Sequence, residues 1–140
     1  MYYVDTSVLV SALTVEAGSQ AAREWLAERR PGEVFVSHWT ATEFSSSLSI
    51  KQRRGEIARV QRDVLLAKYD EWTQQVFRVL PVSREDFDFA TRLASHAESG
   101  LRSGGALHAS IARNHGLPLC TLDKGLSAAG VFGVDVRLIA

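Results

Sequence analysis

Short apolar runs alternate along the chain with longer segments in which apolar residues recur every three or four positions. The short runs predict strands and the longer segments predict helices. The predicted strands cover residues 2–4, 33–37, 77–82, 117–122 and 134–139. The predicted helices cover residues 7–13, 20–30, 40–54, 57–75 and 83–98, and Ser103 is predicted to open a last helix over residues 106–114. Strands separated by helices pair in parallel, so we expect an α/β fold with helices on both faces of a parallel sheet of about five strands.

The apolar positions within these elements also predict parts of the core. In the helix over residues 57–75, the spacing of Ile57, Val60, Val64 and Leu65 indicates one buried face. The single cysteine, Cys120, lies in an apolar run, which favours a reduced, buried thiol that packs as a small hydrophobe.

Composition limits the class of protein further. The chain has 140 residues, of which 46% are hydrophobic and 23% charged, and no repeat or linker interrupts the pattern. We therefore expect residues 1–140 to form one domain. A formal net charge of zero gives no bulk electrostatic sign of nucleic-acid binding. The first residues lack the basic and apolar regions of a signal peptide, and no apolar run approaches a membrane span, so we expect a cytoplasmic protein without a membrane partner.

Three acidic residues lie directly after, or one helical turn beyond, the ends of predicted strands. Asp5 and Asp123 come directly after the first and fourth predicted strands, and Glu43 lies one turn into the helix after the second. In parallel α/β sheets the carboxyl ends of the strands meet at one edge, so these three side chains are expected to converge. Converging carboxylates form a site for a hard cation such as Mg²⁺ or Mn²⁺. Each acid alone is equally well explained as a turn or surface residue.

Two further groups of side chains have open interpretations. Thr6 and Thr121, next to the acids, are either simple turn hydroxyls or groups that orient ligands and water. Lys51, Arg53 and Arg54 lie in a basic segment that suits either RNA phosphates or an ordinary solvated helix end.

Four segments resemble, in order and with the right spacing, the acidic motifs of the PIN-domain family, which includes the VapC-type toxins. These segments are residues 3–9 (YVDTSVL), 37–44 (SHWTATEF), 101–108 (LRSGGALH) and 119–123 (LCTLD). The resemblance implies a three-layer α/β/α PIN-like fold and a metal-dependent endoribonuclease that hydrolyses RNA phosphodiester bonds. It also implies an antitoxin partner, as in type II toxin–antitoxin systems, and a homodimer. Asp5, Glu43 and Asp123 would be the catalytic metal ligands.

The chain departs from the family pattern at one position. Gly105 stands where the third motif carries an aspartate, and glycine offers no ligand. The nearest polar residues, Ser103 and His108, supply no carboxylate, and the apolar neighbours of His108 favour a structural role for it. Two explanations remain open: a natural divergence that weakens activity, or a substitution that lets a toxic nuclease be produced.

Alternative functions follow from the same residues. A phosphotransfer domain also places an aspartate after its first strand, but Asp5-Thr6-Ser7 lacks the second acid that such domains need. A PIN domain without its third acid is also expected to serve as a catalytically weak module that binds antitoxin or RNA.

Large apolar side chains suggest where an antitoxin would bind. We expect part of the surface between the second and fourth helices to form an apolar groove for an antitoxin helix. The candidate residues, some of which must belong to the core, are Trp25, Leu26, Trp39, Phe44, Leu48 and Trp72.

Overall fold

The structure, a computed structural model, describes residues 1–139 as five strands, six α-helices and two 3-10 helices. The strands are β1 (Tyr2–Val4), β2 (Val34–Ser37), β3 (Arg78–Leu80), β4 (Leu119–Thr121) and β5 (Val136–Leu138). The α-helices are α1 (Thr6–Leu13), α2 (Ser19–Ala27), α3 (His38–Arg53), α4 (Arg59–Gln75), α5 (Arg84–Ser95) and α6 (Ser103–Asn114). The 3-10 helices cover Ala97–Ser99 and Lys124–Phe132.

The strands form one parallel sheet in the order β3-β2-β1-β4-β5. The first strand is therefore central, with Tyr2 opposite Val34 of β2 and Val4 opposite Cys120 of β4. The order reverses at β1, because the chain builds the sheet outward first on one side and then on the other. This arrangement confirms the predicted parallel sheet of five strands.

Side chains alternate between two cores, one on each face of the sheet. Val4 and Cys120 pack with residues of α1 to α4, whereas Tyr3 and Leu119 pack with residues of α5 and α6. Because both faces are covered by helices, the central strands β1, β2 and β4 are mostly apolar and buried, whereas the edge strands β3 and β5 are largely exposed. The three-layer α/β/α fold is confirmed.

The buried face of α4 differs from the predicted one. The helix begins at Arg59, so Ile57 precedes it, and Val60 and Val64 are 75% and 61% exposed. Leu65 and Tyr69 are the buried residues of this helix. Consecutive residues lie about 100° apart around a helix, so Val64 cannot share the face on which Leu65 and Tyr69 pack.

The start of α6 matters for the site. The helix begins at Ser103, the residue predicted to open it, after Arg102 in an extended conformation. Gly104 and Gly105 therefore lie inside its first turn. Helix α5 ends at Ser95 rather than near residue 98, and Gly100 with φ of 67° turns the chain towards α6.

Two simpler expectations were also tested. Cys120 is a free, buried cysteine, as predicted. Within residues 1–139, no helix combines the length and the apolar character needed to cross a membrane.

Candidate active site

The three predicted acids line one cavity at the carboxyl-terminal edge of the sheet. Asp5 follows β1, Asp123 follows β4, and Glu43 projects from α3 into the same space of about 280 Å³. Gly105 lines this cavity as well. We call it the acidic cavity. The fold thus brings together side chains from three separate elements, as the strand ends indicated.

Asp5 is buried and held by two hydroxyl groups. Asp5 is the residue directly before α1, but its side chain does not cap that helix. Instead Ser7 Oγ donates to Asp5 Oδ1 at 2.7 Å, and Thr121 Oγ1 donates to Oδ2 at 2.9 Å. Burial raises the pKa of Asp5, and this outweighs the opposing effect of the nearby charge of His108 and of the two hydroxyls. A cation in the cavity would therefore favour the ionised form.

Glu43 is half-buried and accepts hydrogen bonds at one oxygen. Thr6 Oγ1 donates to Glu43 Oε1 at 2.7 Å, and His108 Nε2 contacts the same oxygen. Burial acts to raise the pKa of Glu43, but the hydrogen bond and charge of His108, together with Thr6, lower it overall. Glu43 therefore has a stabilised carboxylate, in contrast to Asp5.

Asp123 lies at the exposed mouth of the cavity. Its side chain accepts from the backbone N–H of Gly125 at 2.9 Å and so caps the following 3-10 helix. Its own backbone N–H donates to Thr121 Oγ1 at 2.9 Å. Thr121 consequently links Asp5 and Asp123, and Thr6 contacts Glu43, so both threonines touch acids of the cavity.

The first turn of α6 forms the wall opposite these acids. A Cβ atom added to Gly104 would lie 2.5 Å from Glu43 Oε2, so Glu43 rests directly against this turn. A Cβ atom added to Gly105 would lie 2.7 Å from Leu126 Cδ2, although Gly105 borders the cavity. Leu126 is buried and would have to move before Gly105 carried a side chain.

A fourth carboxylate, Glu16, also lines the cavity. Lys51 Nζ lies 3.2 Å from Glu16 Oε2 and 3.3 Å from Glu56 Oε2, while Ser11 donates to Glu16 Oε1. Lys51, a candidate RNA contact, thus forms ion pairs with two acids beside the cavity. The predicted Arg53 and Arg54 are exposed.

The donor set suits a hard divalent cation, because the cavity presents carboxylate and hydroxyl oxygens. In this arrangement, however, the oxygens bind groups of the chain itself. Within residues 1–139, no three acidic, histidine or cysteine side chains lie together closely enough to hold a metal ion. Metal binding by Asp5, Glu43 and Asp123 therefore stays a prediction.

Sequence reasoning missed the parts of the site that connect the acids. His108 was interpreted as structural, and it is indeed buried, but it contacts Glu43 from a position 65 residues away. The sequence could have indicated this role, because His108 lies three residues after Gly105 and both residues therefore lie on one face of the helix. Ser7 was signalled by its position two residues after Asp5. Glu16 gives no comparable signal, because it lies between helices.

Comparison with known proteins agrees with this geometry. The sequence profile of the PIN domain matches residues 2–131. The chain belongs to the PIN-domain family. No curated protein matches the sequence. The family profile covers Asp5, Glu43, Gly105 and Asp123, so the whole acidic cavity lies within the PIN domain.

Several solved structures share this PIN fold. VapC20 of Mycobacterium tuberculosis, described as a sarcin–ricin loop cleaving toxin, is 24% identical with a TM-score of 0.74 over 98% of this chain and 99% of its own. VapBC2 from Rickettsia felis, bound to a promoter DNA fragment, is 15% identical with a TM-score of 0.69 over 99% and 98%. A toxin–antitoxin complex from Klebsiella pneumoniae is 18% identical with a TM-score of 0.67 over 96% and 95%. At these identities the likeness establishes the fold.

Proposed function

We propose that this PIN domain, as a single domain of residues 1–140, is the ribonuclease toxin of a type II toxin–antitoxin pair acting in the cytoplasm. The observation that carries the proposal is the convergence of Asp5, Glu43 and Asp123 in one cavity at the sheet edge. Membership of the PIN family and the likeness to VapC20, a toxin that cleaves the sarcin–ricin loop, support RNA as the substrate.

The proposed chemistry is metal-assisted hydrolysis of an RNA phosphodiester bond. Asp5, Glu43 and Asp123 would hold Mg²⁺ or Mn²⁺, directly or through water. A bound divalent cation supplies the charge that activates water and stabilises the departing oxygen. Thr121 and Ser7 keep Asp5 in place, and Thr6 orients Glu43, so the chain fixes these oxygens before any ligand arrives.

RNA phosphates would bind the exposed end of α3. Arg53 and Arg54 are free to do this, whereas Lys51 is paired with Glu16 and Glu56. We expect Arg53→Ala with Arg54→Ala to weaken RNA binding and to flatten its dependence on salt, because fewer counterions are released. Filter binding at several salt concentrations measures both. An unchanged salt dependence would remove this segment from the RNA interface.

The proposed antitoxin site is a cavity of about 320 Å³ between α2 and α4, which we call the apolar groove. Leu26 and Trp72, both predicted for such a surface, line it together with Val34, Val76 and Phe77. Of the other predicted residues, Phe44 and Leu48 are fully buried in the core. Trp25 and Trp39 are only partly buried.

An amphipathic antitoxin helix fits the apolar groove through its apolar face.

We also propose a homodimer, as the family resemblance implies. Sedimentation equilibrium over a range of protein concentrations tests that state, because a monomer at every concentration would contradict it.

Gly105 is proposed to impair the activity of this sequence. Losing a carboxylate eases repulsion among the acids but weakens binding of a divalent cation, whose affinity depends on ligand number and charge. We therefore expect the chain to be stable without metal, to gain little thermal stability from Mg²⁺, and to cleave RNA poorly. Gly105→Asp should lower the metal-free melting temperature, enlarge the rise with metal, and restore cleavage.

The structure shows how this experiment must be controlled. Any side chain at position 105 displaces Leu126, so Gly105→Asn is the matched variant of equal size without the charge. Both substitutions are made alone and with Leu126→Ala, which opens the space. Cleavage of transfer RNA and of a sarcin–ricin loop hairpin is measured in Mg²⁺ and in Mn²⁺. If Gly105→Asp with Leu126→Ala neither binds metal more tightly nor cleaves faster than the asparagine control, Gly105 is not a vacated ligand position.

A second candidate function is a catalytically weak module that binds antitoxin or RNA. The glycine at position 105 and the absence of a metal-holding cluster within residues 1–139 favour it. RNA binding by the unaltered chain, without cleavage in either metal, is the result expected for this function.

A further inference from the structure

A buried chain of hydrogen bonds leads from β1 to the acidic cavity. Tyr3 Oη lies 2.9 Å from Ser37 Oγ and 2.8 Å from His108 Nδ1. On the other side of the imidazole, Nε2 contacts Glu43 Oε1 and lies 3.2 Å from Thr6 Oγ1. Tyr3 and Ser37 are fully buried and His108 is 2% exposed, so water cannot replace these contacts. The network joins β1, β2, α1, α3 and α6.

The partners of His108 determine where its protons lie. When the imidazole is neutral, the Tyr3 hydroxyl donates to Nδ1, which leaves the remaining proton on Nε2 facing Glu43. When the imidazole is charged, both nitrogens carry protons and Nε2 still donates to Glu43. The opposite neutral tautomer would place a lone pair against a carboxylate. Tyr3 and Glu43 together therefore favour the neutral tautomer with the proton on Nε2, and the charged imidazole donates to Glu43 as well.

The first turn of α6 limits Glu43 from the other side. Glu43 Oε2 lies so close to Gly104 that no side chain fits between them, whereas Oε1 is held by Thr6 and His108. Within residues 1–139, Oε2 accepts no side-chain hydrogen bond. The carboxylate is thus fixed through one oxygen, and the second oxygen is available.

We propose that His108 is a positioning residue which, fixed by Tyr3, holds the carboxylate of Glu43 in a single orientation at the acidic cavity. The consequence for metal binding rests on the proposed function, whereas the positioning itself does not. Hydrogen-bonded support of a ligating carboxylate typically changes metal affinity by about 10- to 100-fold.

Two substitutions separate positioning from packing. His108→Gln can still place an amide N–H near the position of Nε2, next to Glu43, but loses the contact to Tyr3. His108→Asn can keep a group near the position of Nδ1, next to Tyr3, but cannot reach Glu43. His38→Asn, an exposed histidine at the start of α3, is the matched control. Urea unfolding of each variant reports any general loss of stability.

The first readout is the Mn²⁺ dissociation constant, measured by the electron paramagnetic resonance of free Mn²⁺ in this chain and in its Gly105→Asp variant. We expect His108→Asn to weaken Mn²⁺ binding by about 10- to 100-fold. We expect His108→Gln to retain most of the affinity, and His38→Asn to change nothing. Equal losses in the glutamine and asparagine variants, or no loss in the asparagine variant, would overturn the proposal.

The second readout needs no metal. Proton NMR should show a slowly exchanging imidazole N–H signal of His108 at low field, which shifts upfield in Glu43→Gln because the acceptor becomes neutral. If the chain and its Gly105→Asp variant bind no Mn²⁺ while this signal behaves as expected, the metal part of the proposed function fails and the positioning stands. A His108 signal that is insensitive to Glu43→Gln sinks the positioning instead.

Discussion

The acidic cavity and the apolar groove are of similar size but satisfy their polar groups in opposite ways. In the cavity, Asp5 and Glu43 each bind donors from more than one element. Beside the groove, Arg29 stacks on Tyr2 and Trp25, yet its buried Nε has no hydrogen-bond partner within residues 1–139. Both of these carboxylates thus bind donors of the chain itself, whereas the groove wall leaves a donor unused.

This contrast shows how one small domain can combine rigidity with binding. Oxygens that must hold a charged ligand are fixed by neighbours before the ligand arrives, which lowers the reorganisation needed on binding. A surface that receives a protein partner gains from exposed apolar area and from polar groups that the partner satisfies.

The largest expected effect is on chemistry at the acidic cavity. In the Gly105→Asp background, we expect Asp5→Asn to lower RNA cleavage by at least about 100-fold, the upper end for loss of a supporting contact. Because burial raises the pKa of Asp5, loss of its charge should cost little folding stability, whereas loss of one acceptor oxygen should cost about 1 kcal/mol. Asp135→Asn, an exposed acid paired with Arg137, is the control. Equal cleavage by both variants would show that Asp5 takes no part.

The next effect concerns the apolar groove. Trp72 is partly buried and packs edge-on against Phe77 at 5.4 Å between ring centres. Removing a fully buried aromatic ring costs about 3–5 kcal/mol, so for this partly exposed ring we expect Trp72→Ala to cost about 2 kcal/mol of unfolding free energy in urea. Val60→Ala, on the exposed face of the same helix, should change stability by less than about 0.5 kcal/mol.

The same tryptophan variant also tests whether the two regions are independent. Cleavage by Trp72→Ala in the Gly105→Asp background should match its parent, because the groove shares no lining residue with the cavity. If the fully folded Trp72→Ala variant cleaves less RNA than its parent, the two sites are coupled.

Because the hydrogen bonds within the acidic cavity are formed by the chain itself, we expect Thr121→Val to lower the unfolding free energy, by less than Trp72→Ala does. This change keeps the shape but removes the hydroxyl that donates to Asp5 and accepts from the Asp123 N–H. Leaving such buried groups unpaired costs about 1–3 kcal/mol, and we expect a value near the lower end. The control is Thr91→Val, an exposed residue whose hydroxyl donates only to the Phe87 carbonyl within α5. Thermal unfolding that does not distinguish the two would argue that water replaces the lost bond.

The smallest effect concerns Cys120, on the groove side of the sheet. Burial raises the pKa of its thiol to about 11, and distant arginine charges offset this only in part. Because the thiolate is the reactive form, alkylation by iodoacetamide should be very slow in the folded protein at pH 8. The rate should rise about tenfold per pH unit up to that pKa, and urea should abolish the protection. Rapid labelling at pH 8 without urea would contradict the burial of this strand.

The sequence predicted those features that depend on local periodicity. Strand and helix order followed from the spacing of apolar residues, and Asp5 and Asp123 could be placed at one edge because each directly follows a strand. The contact between Glu43 and His108 could not be predicted, since it depends on how two helices on different faces of the sheet approach each other. Ser103 was predicted to open α6, and the helix does begin there although two glycines in its first turn disfavour a helix, because tertiary packing overrides that preference.

The central position of β1 has a consequence for biosynthesis. Its neighbour β4 lies so late in the chain that Thr121 contacts Asp5 across 116 positions. During translation β1 is made before β4, so the edge of β1 that pairs with β4 stays unpaired until β4 has left the ribosome. Contacts this distant in sequence form slowly, and unpaired strand edges favour association with chaperones. We expect nascent chains that lack β4 to be protease-sensitive, and the proposed active site to form only after β4 and Asp123 have left the ribosome.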